Sequence, residues 1–265
     1  MENGKDELLR QIKDEIVGLK EGELCEIRKH NKVFPVIGEG SHEASIIFIG
    51  EAPGKNEAVQ GRPFCGAAGK VLDELLASID IPRKEVYITN IVKDRPTGNR
   101  DPLPEEIALY APFLNRQIEI IKPAIIAMLG RYSMRSIMER FGLSDAIAPI
   151  SKIHGSVYAG SASYGNIKII PLYHPATVLY KPDLKEELIR DFRVLRELLQ
   201  SRDMWYTFRM EEHAEEKKEK FVRDYSAIIV LPPNIVESKE GRLNYKEGIF
   251  EFRYIMKNDP YEFRY

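Results

Sequence analysis

Residues 44–54 read Ala-Ser-Ile-Ile-Phe-Ile-Gly-Glu-Ala-Pro-Gly, an apolar run that stops in a turn of glycine and proline. Neither face of this run alternates with polar residues, as expected of a strand covered on both sides. Outward from it, the pattern repeats with helical segments between. Val71, Leu72, Leu75, Leu76 and Ile79 recur at helical spacing, and Val86 to Val92 forms the next apolar run. A helix through Ile107, Ala111, Leu114, Ile118 and Ile121 leads to a strand at Ala124 to Leu129. Then come a helix from Met134 to Phe141, a hairpin near Gly155 to Gly165, a strand at Ile167 to Leu172 and a helix from Leu184 to Leu199. Upstream, Leu8, Ile12, Ile16 and Leu19 mark an amphipathic first helix. Strands alternating with helices predict an α/β fold with a parallel sheet covered on both faces.

The chain has 265 residues, a formal charge of −2 and 43% hydrophobic residues. That composition supports a buried core and excludes disorder of the whole chain. No global basic field advertises a nucleic-acid ligand. The apolar runs fall far short of the roughly 20 residues a membrane span needs. The charged N-terminus, Met1 to Arg10, has no apolar signal core, so an intracellular protein is expected, cytoplasmic or nucleoid-associated. Two cysteines, Cys25 and Cys65, exclude a disulfide framework and any site built from four thiolates of this chain.

Three segments are expected. Residues 1–200 form the main domain and 201–220, which include the charge run Glu211 to Lys220, a charged linker or helix. Residues 221–265 form an aromatic-rich extension, in which Phe250, Phe252, Tyr254 and Met256 alternate with charged residues as in a strand.

Parallel sheets place their sites in the loops at the strands' carboxyl ends. Three such loops carry polar residues suited to chemistry. The first is Gly50-Glu51-Ala52-Pro53-Gly54, continued by Gly61-Arg62-Pro63-Phe64-Cys65-Gly66; it lacks the spacings of nucleotide-phosphate loops. The second begins at Asn90, whose amide offers one donor and one acceptor to a base edge, and continues through Lys93, Arg95, Asn99 and Arg100. The third places His174 before Pro175, where an imidazole can stabilise developing negative charge. Each loop alone is equally compatible with structural polarity. The five histidines form no metal-ligand spacing, and no metal site is expected.

Together, Gly-Glu-Ala-Pro-Gly with Gly-Arg-Pro-Phe, the stretch Thr89 to Glu106 and His174-Pro175-Ala176 resemble the uracil-DNA glycosylase superfamily, most closely its family-4 type, over about residues 20–200. The resemblance implies a three-layer αβα fold with a central four-stranded parallel sheet; the small β-containing C-terminal appendage is read from the alternation at 250–256 alone. It implies hydrolysis of the N-glycosidic bond of flipped-out deoxyuridine, with uracil-containing DNA as partner; it names no protein partner. By resemblance, Glu51 orients the attacking water and His174 stabilises the departing base. Phe64 stacks on uracil, Asn90 reads its polar edge, and Ala52 and Gly54 line the pocket where the best-known branch has an aspartate and a tyrosine. Lys93, Arg95, Thr177, Val178, Leu179 and Lys181 are the expected DNA contacts, with Val178 and Leu179 as the apolar wedge. Another deaminated base such as hypoxanthine, or a weakly catalytic uracil-DNA binding module, are the alternatives.

Family-4 enzymes hold a four-iron, four-sulfur cluster on four cysteines. The corresponding positions here read Gly22, Cys25, Asp94 and Ala111, so no cluster and no other cofactor is expected. The aromatic tail is one candidate replacement for the lost staple, the alternative being a separate appendage for partners or dimerisation.

Overall fold

The computed structural model describes residues 2–200, 236–242 and 251–256. The chain divides into two units, Met1–Leu199 and Gln200–Tyr265.

In the first unit, α1 (Glu2–Val17) and α2 (Glu23–Asn31) precede β1 (Glu39–Gly40) and β2 (Ile46–Gly50). Then follow α3 (Lys55–Gln60), α4 (Ala67–Ala77), β3 (Tyr87–Asn90), α5 (Pro104–Ile121), β4 (Ile125–Leu129) and α6 (Arg131–Arg140). The short α7 (Ile150–Ile153), β5 (Tyr158–Ala162), β6 (Gly165–Leu172), α8 (Thr177–Tyr180) and a last helix, α9, over 185–200 complete it.

The strands form one six-stranded sheet in the order β1-β3-β2-β4-β6-β5. The expected four-stranded parallel sheet is its centre, β3-β2-β4-β6, and an antiparallel strand is added at each edge. Sequence patterning missed β1 because two residues have no period. The expected hairpin is β5 with the start of β6, so the hairpin and the last parallel strand are one continuous element. Such additions cover the backbone groups that a bare parallel edge would leave unpaired.

Alternation within each buried strand feeds two cores. Ile47 and Ile49 of β2 join Ile126 and Met128 of β4 on the face covered by α1, α5 and α6. Ile46 and Phe48 join Ile125, Ala127 and Leu129 on the face covered by α4 and α9. This is the three-layer arrangement, and it explains why the strands read as continuous apolar runs. In α1 the buried stripe is Leu9, Ile12 and Ile16, while Leu8 is exposed.

Of the second unit, Val236–Arg242 (β7) and Glu251–Met256 (β8) pair antiparallel, with an irregularity between Ser238 and Glu240. The strand read from the alternation at 250–256 is β8. The expected linker at 201–220, and the aromatic tail's role as a staple, lie outside the described residues.

Candidate active site

The three loops converge on one cavity of about 380 Å³, lined by Glu51, Ala52, Pro53, Gly54, Glu57, Phe64, Ala68, Asn90, Pro96, Asn99, Arg100, His174 and Ala176. Register explains the convergence. Gly50, the last residue of β2, pairs with Asn90, the last of β3, so the chain leaves both strands at one level. A Cβ at Gly50 would lie 2.4 Å from Asn90 Oδ1 and 2.8 Å from the Phe64 ring. Only glycine lets the amide and the aromatic ring meet above the strand end.

Phe64 is buried and held at φ +47°, a conformation that side chains other than glycine adopt at some cost. Glu57 secures it. Its Oε1 accepts N–H bonds from Cys65 (3.0 Å) and Gly66 (2.9 Å), the two residues after Phe64. A Cβ at Gly54, the N-cap of α3, would lie 2.7 Å from Glu57 Oε2, so this carboxylate occupies the side of the cavity that Gly54 leaves open. Motif reading gave Glu57 no place in the pocket because nothing in a six-residue helix marks which side chain turns inward. Pro96, Asn99, Arg100 and Ala176 are further lining residues it did not assign to the pocket.

His174 stacks against Phe64, with ring centroids 5.5 Å apart and planes inclined by 28°. Its Nδ1 accepts the Ala176 N–H at 3.1 Å, which leaves the ring proton on Nε2. Burial lowers its pKa to about 4, partly opposed by the Glu57 carboxylate. The ring is therefore a neutral donor at physiological pH.

Glu51 is half-buried and accepts no side-chain hydrogen bond among the described residues. Burial raises its pKa to about 7; the charge of Asp101 adds to the rise and Arg131 opposes it. A carboxyl poised near neutrality beside a neutral imidazole donor is suited to general-base chemistry.

Lys93 is corrected: it is fully buried and cannot reach a phosphate. Its Nζ donates to Thr89 Oγ1 (2.7 Å), the Asn90 carbonyl (2.8 Å) and Gln117 Oε1 (2.7 Å). Burial draws its pKa down to about 7. It fixes the backbone beneath Asn90 instead of touching DNA. Arg95 is half-buried, its Nε donating to Asn99 Oδ1, and Arg100 forms a bidentate pair with Glu106. In the third loop, Val178 packs against the core while Leu179 and Tyr180 are 47% and 84% exposed. Thr177 is half-buried and Lys181 exposed.

The family model described as the uracil DNA glycosylase superfamily matches residues 37–194, more than half of the chain. The chain belongs to the uracil-DNA glycosylase superfamily. It is 46% identical over 174 residues to the type-4 uracil-DNA glycosylase of Archaeoglobus fulgidus, covering 66% of this chain and 86% of that protein. Identity to the type-4 enzyme of Sulfurisphaera tokodaii is 44% over 191 residues, 72% of this chain and 84% of that protein. For the Saccharolobus solfataricus type-4 enzyme it is 42% over 192 residues, 72% and 86% respectively.

Of the four positions that the superfamily resemblance marks for an iron-sulfur cluster, Gly22 adjoins Cys25 and Cys25 is linked to Asp94 through Tyr110, yet the residues at the four positions do not fit one. Cys25 is the one thiol among them, and burial raises its pKa, disfavouring the thiolate. Asp94 is engaged by Arg28 and Tyr110. A Cβ at Gly22 would lie 2.7 Å from Leu109 Cδ2 and 3.9 Å from Cys25 Sγ. Among the described residues no group of three or more His, Cys, Asp or Glu side chains is placed to hold a metal. No helix among them is long and apolar enough to cross a membrane.

Proposed function

We propose that this chain is a monofunctional uracil-DNA glycosylase that removes uracil from DNA and leaves an abasic site, and that it works without an iron-sulfur cluster. The carrying observation is that Glu51, Phe64, Asn90 and His174, from three loops, line one cavity at the carboxyl ends of parallel strands.

The target nucleotide leaves the helix and its base enters the cavity. The Phe64 ring offers a stacking face. The Asn90 side-chain amide, on a residue whose main-chain carbonyl accepts from Lys93, bonds to the polar edge of uracil and mismatches the donor pattern of cytosine. As the N1–C1′ bond breaks, its electron pair passes to the uracil ring and negative charge gathers on the ring oxygens. His174 Nε2–H donates to one of them, and a neutral donor stabilises this charge without first surrendering its proton. Glu51, as a carboxylate, orients a water and takes its proton while the water oxygen bonds to C1′. Leu179, with Thr177 and Lys181 beside it, meets the duplex as an apolar wedge, which offsets an unstacking cost on the order of a few kcal/mol. Glu57 and Phe64 bound the side where thymine's methyl group would project.

The test is excision from oligonucleotides carrying a single U, T, hypoxanthine or C, read as alkali-labile abasic sites, with iron and sulfide assayed on the same preparation. Cleavage at U and iron-free protein are expected. Tight binding without cleavage refutes the enzyme reading, preferential release of hypoxanthine refutes the substrate, and stoichiometric iron refutes the cluster-free reading.

A further inference from the structure

The segment from Asp94 to Arg100 carries three residues of the cavity wall, so something must hold it in place. At its far end Arg100 is clamped by Glu106 of α5, which also accepts the Leu103 N–H at the start of that helix. At its near end stands Asp94, which is buried. Arg28 NH1 reaches both carboxylate oxygens of Asp94, at 3.1 and 3.0 Å, and Tyr110 of α5 donates to Asp94 Oδ2 at 2.6 Å. The other end of the guanidinium, NH2, donates to the Ile16 and Val17 carbonyls at 3.1 Å each in the last turn of α1, where the Ile16 carbonyl also accepts the Leu19 N–H. Cys25 Sγ lies 3.5 Å from the Tyr110 hydroxyl. One arginine on α2 thus ties together the end of α1, the pocket loop and, through Asp94, α5.

We infer that the buried Arg28–Asp94–Tyr110 network, closed by Cys25, takes the place of a metal cluster as the staple between the N-terminal helices and the pocket loop, and so positions the cavity wall. The inference rests on the cluster-free reading. Chemically the exchange is consistent. A cluster joins distant segments through bonds to thiolates, and a planar guanidinium with several directed donors joins them through charge-assisted hydrogen bonds to a carboxylate and to carbonyls at the end of a helix. Arg28, Asp94 and Tyr110 are positioning residues; none of them lines the cavity.

The test uses the full chain with Arg28→Met, Asp94→Asn, Tyr110→Phe and the double Arg28→Met/Asp94→Leu. Each of the first two strands a buried charge, and the thermal midpoint is expected to fall by about 10 °C. The double variant removes both charges and should lose less than the sum of its parts. Hydrogen exchange should accelerate about tenfold or more in 94–101 and 14–31, with β2 and β4 unchanged. At a temperature where the variants remain folded, KM for a uracil-containing oligonucleotide should rise about tenfold with a smaller change in kcat. Tyr110→Phe deletes only a hydroxyl and should show the same local pattern, more weakly, even if a charge variant does not fold. Wild-type exchange in 94–101, equal acceleration throughout the sheet, additive losses in the double, or unchanged KM would each overturn the network's role. Iron in the wild-type preparation would overturn the cluster-free reading; iron-free protein whose variants behave as wild type overturns the network alone.

Discussion

Replacing Glu51 by Gln should stabilise the protein in a pH-dependent way while removing its activity. Burial, aided by Asp101, raises the Glu51 pKa from 4.5 to about 7. A raised carboxyl binds its proton more tightly in the folded state. Its contribution is fully favourable below about 4.5 and is lost as pH rises through about 7. The shift of about 2.5 units at 1.36 kcal/mol each gives about 3.4 kcal/mol; partial solvent access brings the working figure to about 2–3 kcal/mol. Glutamine resembles the protonated acid and escapes the loss. Urea denaturation should therefore find the variant equal to wild type near pH 4.5 and more stable by about 2–3 kcal/mol near pH 9. Single-turnover excision by wild type should rise with pH through about 7 as the carboxylate forms, and the variant should lose about 10²- to 10⁴-fold. A stability difference that does not change with pH would refute the burial argument. Undiminished excision by the variant would remove Glu51 from the reaction.

Two further outcomes follow from other buried groups. His174 is displaced in the opposite sense, to about 4, so its contribution is complete above about 6.5 and is lost as pH falls through about 4; wild type should shed about 3 kcal/mol more than His174→Asn between pH 7 and pH 4, measured by urea denaturation, and the variant should fail to excise uracil. Lys93→Met leaves Thr89 Oγ1, the Asn90 carbonyl and Gln117 Oε1 without their donor, which should cost about 3 kcal/mol; its DNA affinity should keep the wild-type slope against log salt, and a slope reduced by about 0.9 would return Lys93 to the DNA surface.

The alternation of apolar runs and helical periods made the layered α/β body legible, because residues buried on both faces of a strand need no polar positions. The short edge strand at Glu39–Gly40 was not legible, since its place depends on pairing with Tyr87 and Ile88, about fifty residues away. Loop chemistry divided in the same manner. Glu51, Phe64, Asn90 and His174 stood out because strand ends, glycine turns and a His-Pro step mark where side chains gather. Lys93 was assigned to DNA by residue type and position and Val178 by the family resemblance of its loop; the first is core and the second packs against it. Arg28 had no local signature at all, and nothing local showed that Glu57 faces the cavity.

By itself, then, the sequence determined the order of the four central strands and the main helices between them, the three loops and the residue types available for base recognition and bond hydrolysis. Tertiary structure alone decided the environment of each group. A lysine in a loop reads as a solvated cation until three oxygens from β3 and α5 are found around it. The residues at the cluster positions read as losses until Arg28 is seen to bridge the end of α1 to Asp94. Burial and partnership set pKa, charge and rigidity, and both come from segments far apart in the chain, so no local reading of residues could have supplied them.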